Sequence, residues 1–325
     1  MKQRKRLFGA AAAAIALSLV LAACGGQGAG ETSAGAGGAD AGQQQVELLT
    51  IKHQLGEAKV KKNPEKVIVF DYGILDTLDK MGVKPLGVPQ SNLPPYLSKF
   101  KDAQYQNIGT LQEPDFEKIS ALKPDLIVIS GRQSSHYEEL SKLGPTVYLA
   151  VDTSKYWDSF RENMRTVATI FDKKDWMEQQ LAELTKSVDA VKAQAANGRK
   201  ALIVLVTGGK ASAYGPGSRF GIIHDVLGVA PADANIEVST HGMSISFEYI
   251  AAKNPDYLFV IDRDAGIGNQ GPSAKQVLEN ELVKGTNAYK NDRIVYLDPS
   301  IWYLSGGGLV SMAEMVDEVA QGLKK

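Results

Sequence analysis

The apolar residues of this chain are grouped in two ways that alternate along its length. Short continuous runs rich in Val, Ile and Leu occur at Val67–Asp71, Leu126–Ser130, Val147–Val151, Leu202–Val206, Tyr257–Ile261 and Ile294–Leu297. Such unbroken runs suit strands buried on both faces of a parallel sheet. Between them lie amphipathic segments, for example Gly73–Met81 and Phe247–Lys253. The alternation predicts an α/β fold.

The middle of the chain departs from this rhythm. From Trp157 to Ala195 there is no strand signal. Trp157, Phe160, Met164, Val167 and Phe171 form one helical stripe, and Met177, Leu181, Leu184, Val188 and Val191 form a second. Asp172 and the Lys-Lys-Asp after it separate the two. The second helix, Lys174 to about Ala196, spans roughly 30 Å at about 1.5 Å per residue. Asn197-Gly198 ends it. Such a helix between two βα halves is either a dimerisation coiled coil or a strut joining two lobes. Its stripe is shorter than the roughly three to four heptads that a coiled coil sustains.

The two halves resemble each other. Phe116-Glu117-Lys118-Ile119-Ser120-Ala121-Leu122-Lys123-Pro124-Asp125 leads into Leu126–Ser130 and then Arg132. Phe247-Glu248-Tyr249-Ile250-Ala251-Ala252-Lys253-Asn254-Pro255-Asp256 leads into Tyr257–Ile261 and then Arg263. The paired Glu, the Pro-Asp turns and the paired Arg all stand 131 residues apart. Helix, Pro-Asp and strand form a common unit, but a shared Glu and Arg at one offset favour a structural repeat. Open α/β sheets bind ligands at the C-terminal ends of their strands. Two facing lobes would bring Arg132 and Arg263 into one cleft.

The N-terminus adds a location. Lys2, Arg4, Lys5 and Arg6 precede an apolar stretch from Leu7 to about Ala23, short and Ala-rich for a spanning helix. Residues 1–23 read as a signal peptide, and Leu21-Ala22-Ala23-Cys24 as a lipobox whose Cys takes a lipid. Cys24 is the only Cys, which excludes an internal disulfide and any Cys-based metal site. Residues 24–45, rich in Gly, Ala, Gln and Ser, cannot bury enough apolar surface to fold and read as a flexible tether. The expected place is the outer face of the membrane of a single-membrane bacterium, with a periplasmic lipoprotein as the alternative. The length that remains suits one large or two medium domains. The chain carries 36 basic and 37 acidic residues. Removing the leader's positive charges leaves the mature chain modestly acidic, so nucleic acid is not an expected partner.

The candidate chemistry is cationic. Arg219, in Tyr214-Gly215-Pro216-Gly217-Ser218-Arg219-Phe220, joins Arg132 and Arg263 as a third Arg expected at a strand-end rim. Guanidinium stays charged and presents a planar donor fork suited to anionic oxygens in a partly dry cleft. His241 stands in a loop before the helix that carries Glu248. The four His show no metal-ligand spacing, and neither HExxH nor GxSxG occurs. Trp302-Tyr303-Leu304-Ser305-Gly306-Gly307-Gly308 precedes the last helix. The Gly run there serves either to bind a phosphate at a helix N-terminus or to turn the backbone so that Trp302 and Tyr303 face the cleft. It lacks the Lys-Ser/Thr of a nucleotide-binding loop. Tyr phenolate and neutral imidazole are both donors for Fe(III).

From about Lys52 to Lys325 the chain resembles the helical-backbone solute-binding proteins of iron–siderophore ABC importers, in the branch that takes catecholates of the petrobactin and enterobactin kind. The resemblance is carried by Lys62-Asn63-Pro64-Glu65-Lys66-Val67-Ile68-Val69, Ser130-Gly131-Arg132, Gly217-Ser218-Arg219-Phe220, His241-Gly242, Ser246-Phe247-Glu248, Ile261-Asp262-Arg263 and the Trp302–Gly308 segment. It implies two Rossmann-like lobes, 46–172 and 198–325, joined by a backbone helix over 173–197, as in class III periplasmic binding proteins. It further implies a monomer without intrinsic cofactor, in which Arg132, Arg219 and Arg263 ring a trianionic ferric siderophore beside Trp302. His241 and Tyr303 would reach iron where the siderophore leaves positions open. Glu117 and Glu248 would dock on the permease, which works with its ATPase. A haem or cobalamin receptor of the same fold is the alternative, with cobalamin disfavoured by the three Arg. A siderophore hydrolase ranks below both, for want of an activated nucleophile.

Overall fold

The structure, a computed structural model, describes residues 47–325. The leader, Cys24 and the tether lie outside the described residues.

A hairpin comes first. β1 (Leu48–His53) and β2 (Gly56–Lys61) pair antiparallel with His53 opposite Gly56. Ile51, Ala58 and Val60 point inward between more exposed neighbours, so this element follows a period of two and not the continuous apolar runs of the parallel strands.

The first sheet is the parallel one expected. It contains β3 (Val67–Val69), β4 (Gly87–Val88), β5 (Gln106–Asn107), β6 (Leu126–Ile129) and β7 (Thr146–Tyr148), in the order β5-β4-β3-β6-β7. β7 ends before the predicted Val151. Asn163 Nδ2 donates to the carbonyls of Leu149 and Ala150 at 3.0 and 3.1 Å, drawing the chain out of the sheet.

The second sheet corrects the expectation of parallel strands throughout. β8 (Lys200–Thr207), β12 (Tyr257–Asp262) and β13 (Ile294–Leu297) are parallel neighbours, but β9 (Lys210–Tyr214) folds back antiparallel on β8, and β11 (Met243–Ile245) pairs antiparallel with β9. A short β10 (Ala230–Pro231) meets the start of β8. The cause is local: Gly208 and Gly209 both take positive φ, 55° and 73°, as a two-residue hairpin turn requires.

The principal helices are α1 (Tyr72–Lys80), α2 (Phe116–Leu122), α3 (Tyr156–Ile170), α4 (Lys174–Ala195), α5 (Phe247–Lys253), α6 (Arg263–Ile267) and α7 (Leu309–Gly322). α3 and α4 bury the two stripes read from the sequence, and Asp172 between them sits at φ +55°. α4 packs on α3 and α7. Alternate strand residues enter different cores. Val67, Val69, Leu126 and Val128 share one cluster with Ile203, Leu205, Phe259 and Ile261 of the other sheet and with the stripes of α3 and α4. Ile68, Ile127 and Ile129 on one sheet, and Leu202, Val204 and Val260 on the other, face separate outer cores. Each sheet therefore turns one face to a common interior and the other to its own covering helices.

The sequence repeat is also a geometric one. α2 ends on Lys123 and α5 on Asn254, both left-handed, at φ +49° and +40°. After each Pro, the Asp carboxylate ties down the start of the neighbouring strand segment: Asp125 accepts from Glu65 N and Lys66 N, and Asp256 accepts from Lys200 N.

Candidate functional site

Three guanidinium groups, reached along three different routes, meet at one tyrosine. Arg132 stands in the 3-10 turn Gly131–His136 that follows β6. Arg263 opens α6 directly after β12. Arg219 also lies past a strand end, but that strand is the antiparallel β9, which intervenes between the Leu202–Val206 run and this loop. Arg132 Nη2 donates to the Tyr303 carbonyl at 2.6 Å, and Arg219 Nη2 donates to that same oxygen. Arg263 Nε donates to the Tyr303 hydroxyl at 2.8 Å. The guanidinium carbons lie 5.9, 4.4 and 5.4 Å from the Tyr303 ring centre for Arg132, Arg219 and Arg263.

This grouping shifts the acidity of its members. Burial pulls the Arg132 guanidinium below its ordinary value, the like charge of Arg219 pulls further, and Asp71 opposes both. Burial pushes the Tyr303 phenol upward, but the hydrogen bond from Arg263 and the charges of Arg219, Arg263 and Arg132 together outweigh it, leaving the phenol below its ordinary value. Because the hydroxyl accepts from Arg263, its own proton is free to be given up or shared with a ligand. Asp71, which caps α1 through Ile74 N at 2.8 Å, is raised chiefly by burial.

The cleft around this centre has two halves. One, of 260 Å³, is walled by Asp71, Arg132, Leu149–Val151, Tyr156, Arg219 and the Trp302–Gly307 segment. The other, of 340 Å³, is lined by the polar side chains of Ser91, Asn92, Thr110, Gln112 and Glu113 with Arg132 and Arg263, and by Leu111 and Ile267. Arg132, Tyr303 and Leu304 border both halves.

The remaining expected residues are placed as follows. Trp302 borders the first half of the cleft but is only 2 % exposed; its indole N–H donates to Glu318 Oε2 at 2.9 Å and its ring packs near Phe220. Successive residues of a helical turn point in different directions, so Tyr303, and not Trp302, meets the guanidinium cluster. His241 is exposed on the turn before β11, and its neighbour Thr240 is the residue that lines the wall. Glu117 and Glu248 are exposed in the first turns of α2 and α5. The Gly run does not offer a phosphate site. The first backbone N–H groups of α7 are taken by Thr77 and Asp76.

Sequence reasoning missed Asp71, Thr207 and Asp264. Thr207 Oγ1 accepts from Arg263 Nη1 at 3.2 Å and donates to Asp264 Oδ1 at 3.0 Å. Asp71 ends the predicted strand Val67–Asp71 and Thr207 directly follows Leu202–Val206, which was the available signal; Asp264 lies three residues past Ile261 and had none. Among the described residues, no group of three or more His, Asp or Glu is arranged to hold a metal ion, and no helix is long and apolar enough to cross a membrane.

Known proteins share this architecture. The petrobactin-binding protein YclQ of Bacillus subtilis is 54% identical over 284 residues, covering 86% of this chain and 89% of that one. Its crystal structure superposes with a TM-score of 0.84 over 86% of this chain and 99% of that one. The ferric-anguibactin-binding protein FatB of Vibrio anguillarum is 34% identical, covering 84% of this chain and 87% of that one. The periplasmic catecholate-siderophore binding protein VctP of Vibrio cholerae, 35% identical, superposes with a TM-score of 0.81 over 85% of this chain and all of that one. These relatives are binding proteins, and the shared fold is class III of the periplasmic binding proteins. Residues 67–301 match the periplasmic binding protein family, and the chain belongs to it.

Proposed function

We propose that this chain captures a ferric siderophore of the catecholate class outside the membrane and delivers it to an ABC importer. The observation that carries the reading is the convergence of Arg132, Arg219 and Arg263 on Tyr303 in a cleft between the two sheets. A ferric tris-catecholate is a trianion ringed by oxygens, and three guanidinium forks supply charge-assisted hydrogen bonds to it. Among the relatives, VctP binds catecholate siderophores, YclQ petrobactin and FatB ferric anguibactin, which supports a ferric siderophore as the ligand. Where a siderophore leaves iron positions open, the lowered Tyr303 phenol is suited to exchange its proton for Fe(III), with His241 at the rim as the second donor.

The rest of the reading concerns delivery. Cys24 carries the lipid that holds the receptor at the membrane, and residues 24–45 form the tether. The receptor acts as a monomer of two lobes, 46–172 and 198–325, joined over 173–197. Glu117 and Glu248, one on each repeat, are fixed anionic pegs for cationic sockets on the two permease subunits, which an ATPase drives. Charge pairs of this kind set docking register and on-rate.

Tryptophan-fluorescence titration with ferric complexes tests the ligand. A trianionic catecholate complex is expected to bind far more tightly than a neutral hydroxamate complex, and equal affinities would refute the reading. The double change Glu117→Ala with Glu248→Ala is expected to leave this titration unchanged and to sharply lower siderophore uptake by cells at matched expression. Uptake at the wild-type rate would remove the docking role.

A further inference from the structure

Asp76 is 1 % exposed and makes no ion pair among the described residues. Burying a carboxyl group is costly unless hydrogen bonds compensate it; here the Tyr96 hydroxyl donates one to Asp76 Oδ2 at 3.2 Å, and others come from the far end of the chain. Val310 N donates to Asp76 Oδ1 at 3.1 Å and Ser311 N to Asp76 Oδ2 at 3.0 Å. Leu309 N donates to Thr77 Oγ1 at 2.8 Å. The first three N–H groups of a helix have no partner within it, and in α7 all three are satisfied by side chains of α1.

A local Ser or Asn at position 308 would cap α7 at less cost, but Gly308 stands there. A Cβ on Gly308 would collide with the Gly73 backbone, and one on Gly73 would come within 2.6 Å of Gly308 N. The starts of α1 and α7 are therefore in direct backbone contact. α1 is also tied to the cleft, because Asp71 caps its first turn and borders the same cavity as Arg132.

The segment between Tyr303 and this cap is short and closed. Ser300–Ser305 forms a π-helical turn in which Gly306 N donates to Ile301 O at 2.8 Å, and Ser305 Oγ donates to Ser300 O at 2.9 Å. A shift at the α7 N-terminus has little slack to absorb it before Tyr303. The Tyr303 carbonyl is the oxygen on which Arg132 and Arg219 both converge.

We propose that Asp76 is a positioning residue for the anion site: by capping α7 from α1 it holds the Ser300–Gly308 segment so that Tyr303 can gather the three guanidinium groups. The inference rests on the ligand reading above. It predicts that Asp76→Asn, which keeps the shape but replaces one acceptor oxygen with a donor, weakens binding of a ferric bis-catecholate by about tenfold, the size of one lost hydrogen bond to a buried group. Thr77→Val, which removes only the acceptor for Leu309 N, is expected to act in the same direction by about threefold.

Tryptophan quenching by ferric bis-catecholate, measured on protein shown to be folded by circular dichroism, gives the test. The two losses are expected to shrink in an Arg132→Ala background, because Arg132 is gathered by the Tyr303 carbonyl that this segment holds, and groups acting through one device are not additive. A variant that melts earlier but binds with wild-type affinity would make the cap purely structural and overturn the proposal. Should Asp76→Asn not fold, wild-type affinity in Thr77→Val overturns it equally. A wild-type protein that binds no ferric catecholate would overturn the ligand reading and this inference together, whereas wild-type binding with unaffected variants overturns this inference alone.

Discussion

Arg132 and Arg263 hold the same place in the two halves of the chain, yet their surroundings differ. Arg263 is held on several sides: its Nε donates to the Tyr303 hydroxyl, its Nη1 to Thr207 at 3.2 Å, and Asp264 lies 3.6 Å away. Arg132 makes one hydrogen bond among the described residues, to the Tyr303 carbonyl, and carries a desolvated charge beside Arg219 with Asp71 as its counterweight. The repeat places a cation at each rim. The neighbours decide how much of that cation is left for a ligand. Arg263 is already partly neutralised and oriented, while Arg132 keeps more of its donors and more of its charge uncommitted.

The largest expected effect follows from that difference. Losing a charge-assisted contact costs about 1.5–3 kcal/mol, or roughly one to two decades in affinity. Arg132→Ala is expected at the upper end for a ferric catecholate, and Arg263→Ala nearer the lower end, as read by tryptophan quenching. If Arg263→Ala proves the more damaging, the contrast between a committed and an uncommitted Arg is wrong.

Much of this arrangement could be read from the chain, and the exceptions have different causes. The buried strands around Ile68, Ile127, Ile203 and Phe259, the stripes of α3 and α4, and the repeat that carries Arg132 and Arg263 are written in contiguous or periodic residues. The β9 hairpin is signalled by Gly208-Gly209, but its short strand, Lys210–Tyr214, lacks the continuous β-branched run that marks the parallel strands. The pairing of Asp76 with Val310 and Ser311 had no local signal at all, because it joins residues far apart in sequence. Neither could the choice between Trp302 and Tyr303 be made beforehand, since it depends on the phase of a single π-helical turn. Contacts set by tertiary packing are the ones that local pattern does not encode.

The two halves should also answer differently to pH. In the first, burial pushes the Asp76 carboxyl up to about 7, against the hydrogen bonds from Ser311, Val310 and Tyr96. Its folded value then lies above its unfolded one, so the folded protein binds that proton more tightly and stability falls as pH rises from about 4 toward 7. In the second, Asp233 is lowered to about 2, first by the Lys253 side chain 2.5 Å away, then by Asn235 N and the Tyr249 hydroxyl. Its contribution is fully present above about 4 and is lost as pH falls toward 2. Urea unfolding across this range is expected to show Asp76→Asn flattening the neutral limb of the profile and Asp233→Asn flattening the acid limb. An unchanged neutral limb in Asp76→Asn would mean that the hydrogen bonds to α7, and not burial, set the charge of this group.

The smallest effect tests how firmly Arg263 is held. The Gly208-Gly209 turn closes the β8–β9 hairpin beside Thr207, and Gly208 N donates to Asp264 Oδ2 at 2.6 Å. Gly209 sits at φ +73°, and no atom lies within 4 Å of where its Cβ would be. Gly209→Ala would therefore cause no collision, only the strain of a left-handed alanine, about 1 kcal/mol of stability. Thr207 and Asp264 keep their side chains in this variant, so Arg263 should keep its orientation and affinity for a ferric catecholate should change by less than about twofold, under 0.5 kcal/mol. Equilibrium unfolding read alongside the fluorescence titration separates the two quantities. A loss of affinity as large as that of Arg263→Ala would show that the turn, and not the Thr207–Asp264 pair, orients this guanidinium, and that the more rigidly held arginine of the two depends on a backbone feature its counterpart in the first half does without.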